Sequence, residues 1–200
     1  MDIILASQSP RRKELLKILG FDFEVKPSFF DETIIEYKNN PKEYCEKLSL
    51  FKAKEIAKLY PTKLVIGADT IVVLNNTILP KPKDNEEAKS FLKMLSNNTH
   101  YVFTGISFSY QQIDNSFSEK TLVSFKKLSN DEINYYVENF NPIDKAGAYG
   151  IQDWSSIFVE KIEGCYFNVV GLPISKIYQK ILKFYPKLIE NLLVTKLENM

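Results

Sequence analysis

Segments with strand chemistry and segments with helix chemistry alternate along the 200 residues, and this interleaving predicts an α/β fold, a mixed sheet with flanking helices. Two observations carry most of the weight. Asp84 with Glu87 and Ser129 with Glu132 both have the spacing of a capping box and both precede apolar residues at helical intervals. Between those two helices, Tyr101 to Tyr110 and Phe117 to Phe125 are rich in β-branched and aromatic residues and are separated by polar turn residues, as paired strands are.

The elements follow in order. Ile3 to Ala6 reads as a short buried strand, and Lys13 to Leu19 carries apolar residues at 15, 16, 18 and 19 before Gly20, a helix with a glycine stop. Phe21, Phe23 and Val25 alternate as in a strand closed by Pro27. Residues 42 to 59 predict a second helix with Tyr44, Leu48, Phe51 and Ala57 roughly on one stripe. Leu64 to Ile66 and Ile71 to Leu74 are strand-like and flank Gly67-Ala68-Asp69-Thr70, while Asn75-Asn76 turns the chain into a hairpin. The capping boxes start helices carrying Ala88, Phe91, Leu92 and Leu95, and then Ile133, Tyr136, Val137 and Phe140. Ile157 to Val159 reads as a strand, and Ile174 to Phe184 as a helix begun after Pro173. Residues 1–200 are expected to form a single domain in two lobes, with an extra helix or tail over about 186–200.

Composition narrows the function classes. The 26 basic and 25 acidic side chains nearly cancel, so no global field holds a long polyanion, and nucleic acid is not the expected partner. No apolar stretch approaches the roughly 18 residues of a membrane span. Cys45 and Cys165 lie far apart and outside any CxxC spacing, which fits a reducing, cytoplasmic setting. With His100 the single histidine, a His-rich metal site cannot be built, so a metal here rests on oxygen ligands, which favours magnesium or manganese.

Ser7-Gln8-Ser9-Pro10-Arg11-Arg12 joins the first strand to the first helix, with Ser9 as N-cap and Pro10 at the first helical position. Two arginines in a first turn run against the helix dipole, but with serine hydroxyls and backbone N–H groups they suit a phosphate chain. Asp69 sits among apolar residues, where a carboxylate needs a partner; metal ligand, general base and turn residue all satisfy that requirement. Lys81 stands between Pro80 and Pro82, which hold its ammonium in a limited volume. Asp144 to Gln152 is rich in small residues, so backbone there can approach a ligand closely. Taken singly, Lys52 reads as a helix-surface lysine and Asp31-Glu32 as an exposed acidic pair.

Leu5 to Arg12, Asp31-Glu32, Leu48 to Ala53, Gly67-Ala68-Asp69-Thr70, Lys81-Pro82, Thr104-Gly105, Asp144 to Gln152 and Asn168 to Pro173, in this order, resemble the Maf family of nucleotide pyrophosphatases. The resemblance runs from residue 3 to about 180. It implies two lobes around a central cleft, similar to inosine triphosphate pyrophosphatases, commonly as a homodimer, and a reaction that cuts a nucleoside triphosphate to monophosphate and pyrophosphate. Ala146 to Gln152 is similar to the branch acting on dTTP and UTP, with 7-methyl-GTP or a modified nucleotide as the alternative substrate and a nucleotide-binding regulator of cell division as the non-catalytic alternative. Carried onto this chain, the resemblance makes Asp69 the proton acceptor and Arg11, Thr70 and Gln152 the specificity positions. Ser7, Arg11, Arg12, Lys52, Lys81 and Lys145 are expected on the phosphates, and Glu32 with Asp69 on the metal. Pro80 and Asp153 depart from the family pattern, which usually has Gly at both places, and are expected to bear on substrate preference or on the placement of Lys81.

Overall fold

The computed structural model describes residues 2–187, so most of the expected tail over about 186–200 lies outside the described residues. In chain order the elements are β1 (Ile3–Ala6), α1 (Pro10–Ile18), β2 (Phe23–Val25), α2 (Pro41–Ala57), β3 (Leu64–Leu74), β4 (Thr77–Leu79), α3 (Asn85–Leu95), β5 (Thr99–Tyr110), β6 (Ile113–Phe125), α4 (Asn130–Asn139), β7 (Val159–Glu163), α5 (Tyr166–Val170) and α6 (Ile174–Phe184). They build a seven-stranded mixed sheet in the order β2-β1-β3-β5-β6-β7, with β4 also paired to β3. β1 runs parallel to β2 and β3, and the remaining pairings are antiparallel.

Local chemistry explains most boundaries. Ser9 accepts from the Arg12 backbone N–H and Pro10 opens α1; Ser129 and Glu132 cap α4 reciprocally. Asn75 and Asn76 both adopt positive φ, 49° and 65°, as a two-residue hairpin turn requires.

Three expectations are corrected. Residues 64–74 form one continuous strand, so Gly67-Ala68-Asp69-Thr70 is strand and not the junction between two. Small residues there reflect helix packing: a Cβ on Gly67 would stand 2.2 Å from Ser49 O, and one on Gly105, opposite Asp69, 2.1 Å from Cys45 O. For the same reason the buried stripe of α2 is Cys45, Leu48, Ser49, Ala53 and Ile56. Phe51 instead turns outward and stacks on Phe30 with ring centroids 5.0 Å apart. Ile157 belongs to a 3-10 helix, Trp154–Phe158, and the strand begins only at Val159. The short helix α5, ended by Gly171 at φ 117°, was not expected from the sequence.

The apolar interior on the face opposite α2 divides in two. One cluster joins Leu5, Ile66, Ala68, Ile106 and Phe108 to α1 and α6; the other joins Val72, Leu74, Val102 and Val123 to α3 and α4. A polar seam separates them, in which Thr70 and Thr104 hydroxyls lie 3.0 Å apart, Thr104 donates to Asn168 O, and Asn168 Nδ2 donates to Thr121. β1 pairs with β3 only as far as Gly67, and β4 takes up pairing at Val72. Residues 68–71 therefore face an opening in the sheet, and the candidate site lies there.

Candidate active site

A cavity of about 720 Å³ opens at this gap and is lined by the β1–α1 turn, α2, the middle of β3, Lys81 and the segment 144–152. Ser7, Arg11, Arg12, Glu32, Lys52, Asp69, Thr70, Lys81, Lys145 and Gln152 all border it, so residues far apart in sequence meet in one place.

At its centre Lys52 Nζ lies 2.6 Å from Asp69 Oδ1 and 2.6 Å from Glu32 Oε1. The close approach of α2 to the sheet at Gly67 and Gly105 sets the first distance. The second depends on a loop hung from α2: Ser28 Oγ and Phe29 N–H donate to Glu55, and Phe30 stacks on Phe51. Asp31, whose carboxylate accepts from Thr33 N–H, caps the single 3-10 turn that presents Glu32.

Two carboxylate oxygens thus converge on one cationic point. That donor set fits a hard divalent cation bound through one or two carboxylates, with phosphate oxygens and water completing the shell. The described residues gather no group of three or more His, Cys, Asp or Glu side chains, so a cation here would need those non-protein oxygens.

Arg11 and Arg12 diverge. Arg11 Nη1 donates to Asp144 Oδ2 at 2.8 Å, and Lys145 Nζ lies 2.9 Å from the other oxygen of the same carboxylate. Burial pushes the Asp144 carboxyl up, but the hydrogen bonds and charges of Lys145 and Arg11 outweigh it and leave the group below its ordinary range. The sequence alone assigns Asp144 no role; its position next to Lys145 is the one signal that points to it.

Arg12 spends its guanidinium on the protein. Nε donates to Gly171 O, Nη1 to Ala68 O and Ser7 Oγ, and Nη2 to Thr70 Oγ1. Desolvation lowers its pKa, with Asp69 opposing and Arg11 adding to the fall. The group closes the open edge of β3 at Ala68 and fixes Thr70, and its fork shape is what allows this.

Lys81 is exposed at the rim and makes no ion pair among the described residues. Pro80 borders the cavity beside it, whereas Asp153 does not. Asp153 caps Ser155, accepts from Tyr136 OH and stands 3.5 Å from Lys145 Nζ, so this departure from the pattern acts on Lys145 and not on the pocket wall. His100 does not border the cavity; it is fully buried behind Tyr149, which does.

The family model described as Maf-like protein matches residues 2–184. The chain is 52% identical over 178 residues to the dTTP/UTP pyrophosphatase of Thermosipho africanus, covering 89% of this chain and 91% of that one. It is 48% identical over 179 residues to the dTTP/UTP pyrophosphatase of a Geobacillus species, covering 90% and 96%. Among solved structures it is similar to a nucleoside-triphosphatase / dITP/XTP pyrophosphatase from Mycobacterium abscessus, with a TM-score of 0.46, 16% identity, and coverage of 64% of this chain and 76% of that one. No described helix is long and apolar enough to cross a membrane.

Proposed function

The chain belongs to the Maf family, and on that premise we propose that it is a nucleoside triphosphate pyrophosphatase that hydrolyses dTTP and UTP to the monophosphate and pyrophosphate. The observation that carries the reading is the Glu32–Lys52–Asp69 cluster, set in the same cavity as Arg11, Lys81, Lys145 and Gln152.

Breaking the anhydride between the α and β phosphates needs neutralisation of a pyrophosphate leaving group and an oriented water, with little covalent work for the protein. Arg11 and Lys145, both held by Asp144, and Lys81 at the rim supply cations to the cavity, with Lys52 beside the carboxylates. Ser7 adds a hydroxyl at the phosphate end, and Arg12 holds Ser7 and Thr70 in place. Asp69 Oδ1 is engaged by Lys52, which leaves Oδ2 to orient the attacking water and take its proton. Magnesium or manganese, if held by the Glu32 and Asp69 carboxylates beside Lys52, would supply further charge neutralisation to the phosphate oxygens. Gln152 offers both a donor and an acceptor, the pattern that reads the carbonyl and N3–H edge of thymine and uracil.

The same reading includes a homodimer, checked by light scattering, and a cytoplasmic location, supported by the two unpaired cysteines. The direct test incubates the purified protein with canonical and modified triphosphates in magnesium, manganese or chelator. Pyrophosphate and monophosphate, formed fastest from dTTP and UTP and abolished by chelator, are expected. Orthophosphate with diphosphate would refute the cleavage position.

A further inference from the structure

Residues 144–152 bring both Lys145 and Gln152 to the cavity, yet their backbone is irregular. Gly147 has φ 67° and the following Ala148 φ 63°, a left-handed conformation that disfavours a residue with a Cβ. Contacts outside the segment must hold it in that shape. One is backbone: Gly147 N–H donates to Pro80 O, tying the segment to the residue before Lys81.

Ser155 Oγ adds two hydrogen bonds at Gly150, and Arg11 an ion pair at Asp144. Tyr149 is the contact that reaches the core. Its ring packs edge-on against Phe125 at 4.8 Å and against His100 at 5.4 Å, and its hydroxyl lies 2.7 Å from His100 Nε2. His100 is 0% exposed, and its Nδ1 has no hydrogen-bond partner among the described residues. An orphaned buried ring nitrogen is costly, and an apolar side chain would fill this space with less penalty. Among the described residues, the single polar contact the ring makes is the one with Tyr149.

We propose that His100 is a positioning residue: through the Tyr149 hydroxyl it fixes the segment that presents Gln152, and so sets discrimination between bases without touching substrate. This rests on the reading of Gln152 as the base contact. A side chain that only fills the core would change how much enzyme is folded, which lowers kcat/KM for every substrate by the same factor. A positioning residue changes the ratio between substrates that differ at the base edge.

The test measures kcat/KM for dTTP and for dCTP, which differ at the pyrimidine 4-position, and uses their ratio, from which the folded fraction cancels. Tyr149→Phe removes one oxygen atom, and His100→Leu removes its partner. Each is expected to lower the dTTP-over-dCTP ratio roughly threefold to tenfold, the value of one hydrogen bond, and the double variant to fall no further than either single. Gln152→Ala is the control for the underlying reading. If it keeps the wild-type ratio, the base contact is misassigned and the role of His100 fails with it. If it lowers the ratio while Tyr149→Phe and His100→Leu stay within twofold of wild type, the base contact stands and the positioning role is overturned.

Discussion

Lys52 Nζ stands between Glu32 Oε1 and Asp69 Oδ1, 2.6 Å from each, and joins a loop, a helix and a strand in one ionic contact. With side-chain exposures of 13% for Lys52 and 9% for Asp69, the Lys52–Asp69 half of this contact is shielded from water, while Glu32 on the other side is 52% exposed. Lys52→Met is therefore expected to act twice. Turnover should fall on the order of a hundredfold, the usual loss for one preorganised charge, and stability should fall by about 2 kcal/mol because Asp69 is left uncompensated. Adding Asp69→Asn should recover part of the stability and none of the rate. Urea unfolding and steady-state kinetics on the single and double variants check this; a double variant as unstable as the sum of both singles would contradict it.

Gly67→Ala and Gly105→Ala test how α2 is held. Each new methyl would meet helix backbone, Ser49 O at 2.2 Å or Cys45 O at 2.1 Å, which cannot rotate away. The expected cost is about 3 kcal/mol in denaturant unfolding, with activity reduced beyond the loss of folded protein because Lys52 moves with the helix. Unchanged midpoints would show that the helix has room to shift.

Arg11 and Arg12 should separate experimentally. Arg12→Lys cannot reproduce bonds to Gly171 O, Ala68 O and Thr70 together, so it is expected to lower stability by about 2 kcal/mol. Arg11→Lys, whose partner is the half-exposed Asp144, should leave the unfolding midpoint nearly unchanged and raise KM. Equal destabilisation by both would contradict the division of roles.

These contrasts also mark how far sequence reaches. The strand-to-helix turn at Ser9-Pro10, the Ser129-Glu132 capping box and the Asn75-Asn76 hairpin were legible because their chemistry is local, whereas at α3 only the Asp84 half of the expected box forms and Glu87 accepts from Lys83 N–H instead. Residues 67–70 misled because glycine there signals a helix pressed on a strand, and the pressing helix lies elsewhere in the chain. The stripe on α2 was misjudged for the same reason: apolarity pointed to Phe51, but close packing selects Ser49 and Ala53. That the site residues share one cavity follows from topology, since β1 and β4 leave residues 68–71 open. The different tasks of Arg11 and Arg12, adjacent and identical in type, were not legible at all.

Acid stability should carry the signature of His100. Burial pushes its pKa down from 6.5 to about 4, so the ring is neutral in the folded protein and charges more readily when unfolded. Its contribution to stability is complete above pH 6.5 and is lost as pH falls toward 4, to at most about 3 kcal/mol. The lowered carboxyls, Asp144 and Glu132 among them, lose their contributions only at lower pH. His100→Gln should therefore flatten the stability profile between pH 6.5 and about 4.5, read by urea unfolding at each pH; a slope equal to wild type would contradict it.

The most direct measurement compares wild type with Asp69→Asn for dTTP binding and for hydrolysis to dTMP and pyrophosphate, after circular dichroism has shown both to be folded. The expected result is dTTP bound within a fewfold of wild type and turnover reduced by a hundredfold or more. Near wild-type turnover with unchanged demand for metal would contradict the placement of the chemistry at the Asp69 carboxylate.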